Sequence, residues 1–359
     1  MLITVIRLIA LFGLVATVRG AEMPNPPDRL PRTNLLVYRA RDGKVAQVTS
    51  IRDWQRRRAE IVRGMQQVMG PLPGQSKRCP LDMNLEEETD CGDYVRRFIT
   101  YSSEPGSRVP AFLLIPKKAL HSSKKFPAVL ALHPTDMEYG HRVLVEQLRP
   151  HYRPYANELA ERGFVVLAPA YPLMANYQPD LLALGYQSGT MKAIWDNIRG
   201  LDLLDSLPFV KHGRFGALGH SLGGHNALFT GVFDKRIEVI VSSCGFDSFL
   251  DYMDGNIKGW TSERYMPRLL DYQTGLEAVP FDFPEIIAAL APRTVFVNAP
   301  LGDKNFKWRS VDEVIKTSWP VYRLFRESQN LQVEHPDCGH DFPAELRDRA
   351  YRVLAEGLR

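Results

Sequence analysis

The 359-residue sequence predicts an α/β protein, with a mostly parallel central sheet covered by helices on both faces. Two observations carry that prediction. From Phe126 onward, short apolar strand-like runs alternate with helix-like segments. Within that alternation, Gly219-His220-Ser221-Leu222-Gly223 fits G-x-S-x-G between the strand-like Arg214-Phe215-Gly216-Ala217-Leu218 and a helix-like stretch that opens at Leu222.

Along the chain, Arg7 flanks an apolar run from Leu8 to Val18, and small residues at Val18 and Gly20 mark a signal peptide over residues 1–20, cleaved after Gly20. The run is shorter than the ~20 residues of a spanning helix. A Pro-rich lead-in from Ala21 to Pro31 opens an N-terminal extension, residues 21–92. Within it, Ile51 to Met69 has helical periodicity, with Trp54, Ile61, Met65 and Met69 on one side, and Pro71, Pro73 and Gly74 end it. Leu81 to Asp90 reads as a polar, acidic loop. The catalytic unit then runs over residues 93–359. Tyr94 to Ser102 and Val109 to Pro116 read as paired strands turning at Pro105-Gly106. Strands follow at Phe126 to Leu132 and Gly163 to Pro169, with helices at Tyr155 to Arg162 and Met191 to Leu207. The later strands are Val239 to Ser243, Arg293 to Ala299 and Leu331 to Glu334, and a last helix begins near Phe342.

The net charge is +4, and removing Arg7 and Arg19 with the leader leaves +2. The one dense basic cluster, Arg56-Arg57-Arg58, sits on a predicted helix and reads as a solvated face. No basic stripe is interleaved with aromatics, so nucleic acid is not an expected partner. No C-x-x-C or H-E-x-x-H spacing occurs, so no metal site is expected.

A serine between tightly turned glycines stands clear of its sheet, but its hydroxyl needs a base. His340 follows the last strand in a glycine-containing loop and is the expected base; His335, at the strand end, reads as structural. Asp303, delivered by Pro300-Leu301-Gly302 after the preceding strand, is the expected orienting acid, with Asp247 one strand earlier as its rival. An oxyanion hole takes the N–H of Leu222 and a second donor after Phe126 to Leu132. Pro134 has no N–H, so the second donor is Thr135, with His133 as a loop brace.

These motifs resemble the α/β-hydrolase superfamily, in particular the dienelactone-hydrolase and acetyl-xylan-esterase-like branch of secreted bacterial esterases. The resemblance rests on Gly219-His220-Ser221-Leu222-Gly223-Gly224, Pro300-Leu301-Gly302-Asp303 and Asp337-Cys338-Gly339-His340-Asp341-Phe342-Pro343, and spans Tyr94 to the C-terminus. It implies an α/β-hydrolase fold preceded by the N-terminal helical extension, with Ser221, Asp303 and His340 as nucleophile, acid and base, and neither metal nor organic cofactor. Many members carry His-Gly where this chain has His133-Pro134, and dienelactone hydrolases proper use cysteine where it has Ser221.

Four cysteines in an exported chain invite pairing, as Cys79–Cys91 and Cys244–Cys338, the latter bracing the histidine loop. Two aromatic-rich stretches after strand ends, Tyr171 to Gly189 and Phe249 to Tyr272, are candidates to build a substrate pocket, with Tyr171, Tyr186 and above all Trp260 touching substrate. The expected activity is a secreted or periplasmic serine carboxylic-ester hydrolase working on a small-molecule or polysaccharide ester, acetylated or otherwise esterified. A peptidase of the prolyl-oligopeptidase kind and a non-catalytic binding module on the same fold are the alternatives.

Overall fold

In the computed structural model, residues 29–359 are described. The segment expected to be a signal peptide, residues 1–20, and most of the Pro-rich lead-in lie outside them. No helix among the described residues is long and apolar enough to cross a membrane.

A short antiparallel pair, β1 (Val37–Arg39) and β2 (Val45–Gln47), precedes α1 (Ile51–Met69). Ser50 caps α1 by accepting from the Asp53 N–H, and Gly70 ends it at φ 91°. Trp54, Ile61, Met65, Val68 and Met69 form its buried stripe.

The main sheet begins with β3 (Asn84–Asp90), β4 (Tyr94–Glu104) and β5 (Ser107–Pro116), an antiparallel meander. After α2 (Lys117–Leu120), the chain enters β6 (Phe126–Leu132), α3 (Tyr155–Glu161), β7 (Val165–Pro169), α4 (Gly189–Ser206) and β8 (Val210–His220). It continues through α5 (Leu222–Phe233), β9 (Ile237–Ser243), α6 (Phe283–Leu290), β10 (Thr294–Asn298), α7 (Trp308–Leu324), β11 (Leu331–Glu334) and α8 (Ala344–Gly357). The nine strands lie in the order β11-β10-β9-β8-β6-β7-β5-β4-β3, and β6 through β11 are all parallel. Central strands such as Val165–Pro169 are buried along their whole length, because helices cover both faces of the sheet.

Two expectations about the N-terminal part are corrected here. Leu81 to Asp90 is not all loop: Asn84–Asp90 is the edge strand β3, so the boundary read at residue 93 falls inside the sheet. Its carboxylates find cross-strand and neighbouring cations, Glu88 with Arg97 at 2.6 Å and Asp90 with Lys117 at 2.6 Å, and they blunt an otherwise open sheet edge. Of Arg56-Arg57-Arg58, only Arg56 is exposed, so the run is not a solvated face throughout. Arg57 is buried and pairs with Glu285 at 2.6 Å, while Arg58 donates to the carbonyls of Ala289 and Val232. Glu285 also takes Arg29 at 2.5 Å, and Asp282 pairs with Arg32. Asp282 and Glu285 form the capping box of α6, so the start of the described chain is strapped to the helix that α1 packs on.

Candidate active site

Ser221 sits between β8 and α5 at φ 54° and ψ −122°, a left-handed conformation that a side chain rarely adopts. The turn closes only because its neighbours are glycines. A Cβ on Gly219 would lie 2.2 Å from the Gly223 carbonyl carbon, and one on Gly223 would lie 1.8 Å from the Leu132 oxygen. The Ser221 N–H donates to Ser243 O at 2.7 Å, tying the turn to the end of β9. Leu222 is the first residue of α5, so its N–H has no partner within that helix.

Asp303 and His340 come together across 37 residues: His340 Nδ1 donates to Asp303 Oδ2 at 2.8 Å. Burial by itself would raise the Asp303 carboxyl. The His340 hydrogen bond and charge, with the N–H groups of Asn305 and Phe306, outweigh it and hold the group below its usual value. Asp303 is therefore a carboxylate, an acceptor only. By accepting at Nδ1 it sets the tautomer of the neutral imidazole, whose lone pair then lies on Nε2.

Ser221, Leu222, Thr135 and His340 all line one cavity of about 360 Å³. Its aromatic wall is Trp260, Tyr252, Tyr265 and Phe306, with Trp260 and Phe306 stacked at 6.1 Å. Among the described residues, no Asp, Glu, Lys or Arg side chain is part of the lining. Thr135 is held from two sides, since Tyr152 OH donates to its carbonyl at 2.8 Å and Tyr265 OH meets its hydroxyl at 2.9 Å. His133 braces the same loop. Its Nε2 accepts from the Tyr171 N–H at 2.9 Å, so its Nδ1 carries the proton and donates to Pro134 O at 2.7 Å. Burial pushes its pKa down to about 4.

His335 is bonded elsewhere, to Ala299 O at 2.7 Å and Asp312 at 2.8 Å, and it pins the end of β11 to β10 and α7. Asp247 receives the Lys307 N–H at 3.1 Å, and burial raises its carboxyl to about 7. It holds the loop that carries Asn305 and Phe306 into the cavity.

Three expectations are corrected. Tyr171 and Tyr186 do not line this cavity. Tyr171 is buried, with its OH donating to Arg264 O at 3.0 Å. Tyr186 donates to Glu104 at 2.6 Å, beside a buried network in which Lys192 meets Asp196, Tyr177 and Ser103. Those polar partners pull the 171–188 segment inward. The four cysteines are also free thiols rather than the pairs Cys79–Cys91 and Cys244–Cys338. Cys79 and Cys91 flank the two ends of the extended strand β3, whose seven residues at ~3.4 Å each hold them apart. Cys244 turns toward Asp341 O at 3.4 Å instead of toward Cys338.

Sequence patterns did not mark two residues that hold the histidine loop, and they gave a third, Cys244, a disulfide in place of the contact it makes. Asn298, at the end of β10, donates to Asp341 O at 3.0 Å and to Ser243 Oγ at 2.8 Å. Arg153 pairs with the Asp341 carboxylate at 2.7 Å. Cys244 places its sulfur within 4.8 Å of the Asp303 carboxylate and a His340 nitrogen, and burial pushes this thiol well up, so it stays protonated.

No protein-family model matches the chain. A glucuronoyl esterase from Solibacter usitatus superposes with a TM-score of 0.73 at 17% identity, covering 94% of this chain and 99% of that one. A promiscuous carbohydrate esterase family 15 enzyme from a marine bacterial metagenome gives 0.69 at 17% identity, over 96% and 98% of the two chains. The chain has the α/β-hydrolase fold. In sequence it is 25% identical over 313 residues, 84% of its length and 100% of the relative's, to YtaP of Bacillus subtilis strain 168, a protein named as a candidate hydrolase. This α/β-hydrolase fold puts the Ser221 turn and the Asp303 and His340 loops at the C-terminal ends of the parallel strands, where open sheets bind ligands.

Proposed function

We propose that this chain is an exported serine carboxylic-ester hydrolase acting on carbohydrate esters. The observation that carries the reading is the Ser221 elbow sharing one cavity with His340, whose Nδ1 proton is held by a buried Asp303. In the reaction His340 Nε2 accepts the Ser221 proton as Oγ attacks the ester carbonyl. The N–H groups of Leu222 and Thr135 receive the oxyanion. His340 then protonates the leaving alcohol, and water releases the acyl group by the reverse steps. The uncharged aromatic wall suits the ring of a sugar, and the structural neighbours that carry the names of glucuronoyl esterases support an ester of a carbohydrate acid as substrate. The Arg-flanked apolar start of the chain supports export.

The test is an ester panel of a chromogenic acetate, acetylated xylan and a methyl glucuronate ester, run on wild type and Ser221→Ala. Ser221→Ala is expected to lose roughly 10³-fold or more in kcat. Equal rates would remove Ser221 from the mechanism, and no turnover of any ester by wild type would remove the activity.

A further inference from the structure

A second cavity, of about 270 Å³, opens over the antiparallel side of the sheet, away from Ser221. Its floor crosses three strands. Glu87 on β3 is the register partner of Phe98 on β4, and Phe98 that of Phe112 on β5, so the three side chains share a face. The Phe98 and Phe112 rings are 5.3 Å apart. Thr89 and Arg96, the next pair on that face, extend the floor. The 3₁₀ turn Gly140–Leu144 supplies the roof and sets His141 5.1 Å from Phe112.

His141 is 1% exposed, and neither ring nitrogen has a hydrogen-bond partner among the described residues. Burial pushes its pKa down to about 3, so at neutral pH it keeps one N–H and one lone pair, both unsatisfied. An unmade bond of this kind is costly, and native proteins rarely leave it so. A hydroxyl can accept from the N–H or donate to the lone pair, directly or through one water, so it suits either nitrogen of the imidazole. The charged side chains of the wall are Glu87, Glu146, Arg96 and Arg142, two of each sign, so the field favours neither an anion nor a cation. What remains is an aromatic floor ringed by carboxylate, guanidinium, hydroxyl and the amide of exposed Asn176. That set fits a neutral ring with an apolar face and hydroxylated edges.

We propose that this cavity is a second, non-catalytic site that binds a neutral saccharide unit. The site lies against the same loop that serves the first cavity. Thr135 faces the first cavity and His141 the second, and the His141 ring stands 6.4 Å from His133, the brace of the Thr135 loop.

The test does not depend on turnover. Full-chain Ser221→Ala protein is titrated calorimetrically with xylohexaose, cellohexaose and mannohexaose, alone and with added substitutions. Glu87→Ala combined with Asn176→Ala is expected to weaken binding of the preferred hexaose about fivefold or more, the effect of roughly one net hydrogen bond, with an unchanged unfolding midpoint. Both positions are exposed, so the fold is spared. Trp260→Ala is expected to leave that binding within about twofold. The proposal is overturned if none of the three sugars binds, if the double substitution has no effect, if Trp260→Ala alone abolishes binding, or if an oligogalacturonate binds more tightly than every neutral sugar. None of these outcomes bears on whether esters are hydrolysed.

Discussion

Replacing His225 by phenylalanine should remove a defined share of the protein's acid lability. His225 is fully buried in α5, stacked between Phe229 at 3.9 Å and Trp260 at 4.5 Å, and neither nitrogen is hydrogen-bonded. Burial lowers its pKa from 6.5 to about 3. The folded state therefore resists a proton that the unfolded chain accepts. Stability from this group is complete above pH 6.5 and is lost as pH falls from there toward 3. Between pH 7.5 and 5.0 the folded ring stays neutral while the unfolded ring titrates, which costs about 2 kcal/mol at 1.36 kcal/mol per pKa unit. Phenylalanine has no proton to refuse and keeps the ring stack. Its packing cost is independent of pH and cancels when the two conditions are compared. Urea unfolding of wild type and His225→Phe at pH 7.5 and 5.0 measures the effect, and the gap between the two proteins should move by about 2 kcal/mol in favour of the variant at pH 5.0. A gap that stays constant would mean that His225 reaches solvent or a partner in the folded state, and the burial argument would fail.

The other expectations concern the site and its supports. Asp303→Asn leaves space and shape intact but frees the His340 tautomer, and kcat on an ester should fall on the order of 10³-fold or more while the unfolding midpoint changes little; a wild-type rate would move the acid's role to Asp247. Gly223→Ala drives a methyl to 1.8 Å from the Leu132 carbonyl oxygen, a backbone atom that cannot step aside. It should cost ~3 kcal/mol or more or prevent folding, as expression yield and urea midpoint would show, and a variant of wild-type stability would contradict the close packing of α5 on β6. Alkylation of unfolded protein without reductant should add four labels by intact mass, and in the native state Cys244 should react last because it is buried and its thiol is held protonated. Two labels or none would restore a disulfide.

The parallel core was legible because its central strands are buried on both faces, while its edge strand Leu331–Glu334 alternates apolar and polar residues. Phe126–Leu132 and Leu331–Glu334 occupy the residues that these patterns mark, and α1 spans the whole amphipathic stretch Ile51–Met69. β3 was not legible for the opposite reason. All but one of its residues are exposed, four are acidic, and its strand state comes from the ladder that β4 offers it. Composition alone cannot separate such a segment from a solvated loop. The basic run on α1 misled in the same way, since Arg57 is neutralised by Glu285, 228 residues away. α6, buried along its whole length, has no polar face to give it a helical period.

At the site, local and distant information part company. The Ser221 turn was readable because the steric demand for glycine at 219 and 223 is written in the motif itself. Asp303 and His340 were readable only through strand order, since each lies in the loop that follows one of two neighbouring strands. Asn298 and Arg153, which fix the histidine loop, were hidden because they act through Asp341, whose place in the stretch Asp337 to Pro343 says nothing of its partners, and Cys244 was read as a disulfide where it meets the Asp341 carbonyl. Aromatic residues were the least readable. Trp260 and Tyr186 both follow a strand end in a long loop, and what separates them is the partner beneath. Glu104 and Lys77 hold the Tyr186 ring inward, Lys77 at 4.2 Å over its face, while Trp260 rests on the neutral imidazole of His225, which offers a flat surface and no hydrogen bond. A buried charge draws a tyrosine into the core; a buried neutral ring supports a tryptophan at the cavity wall.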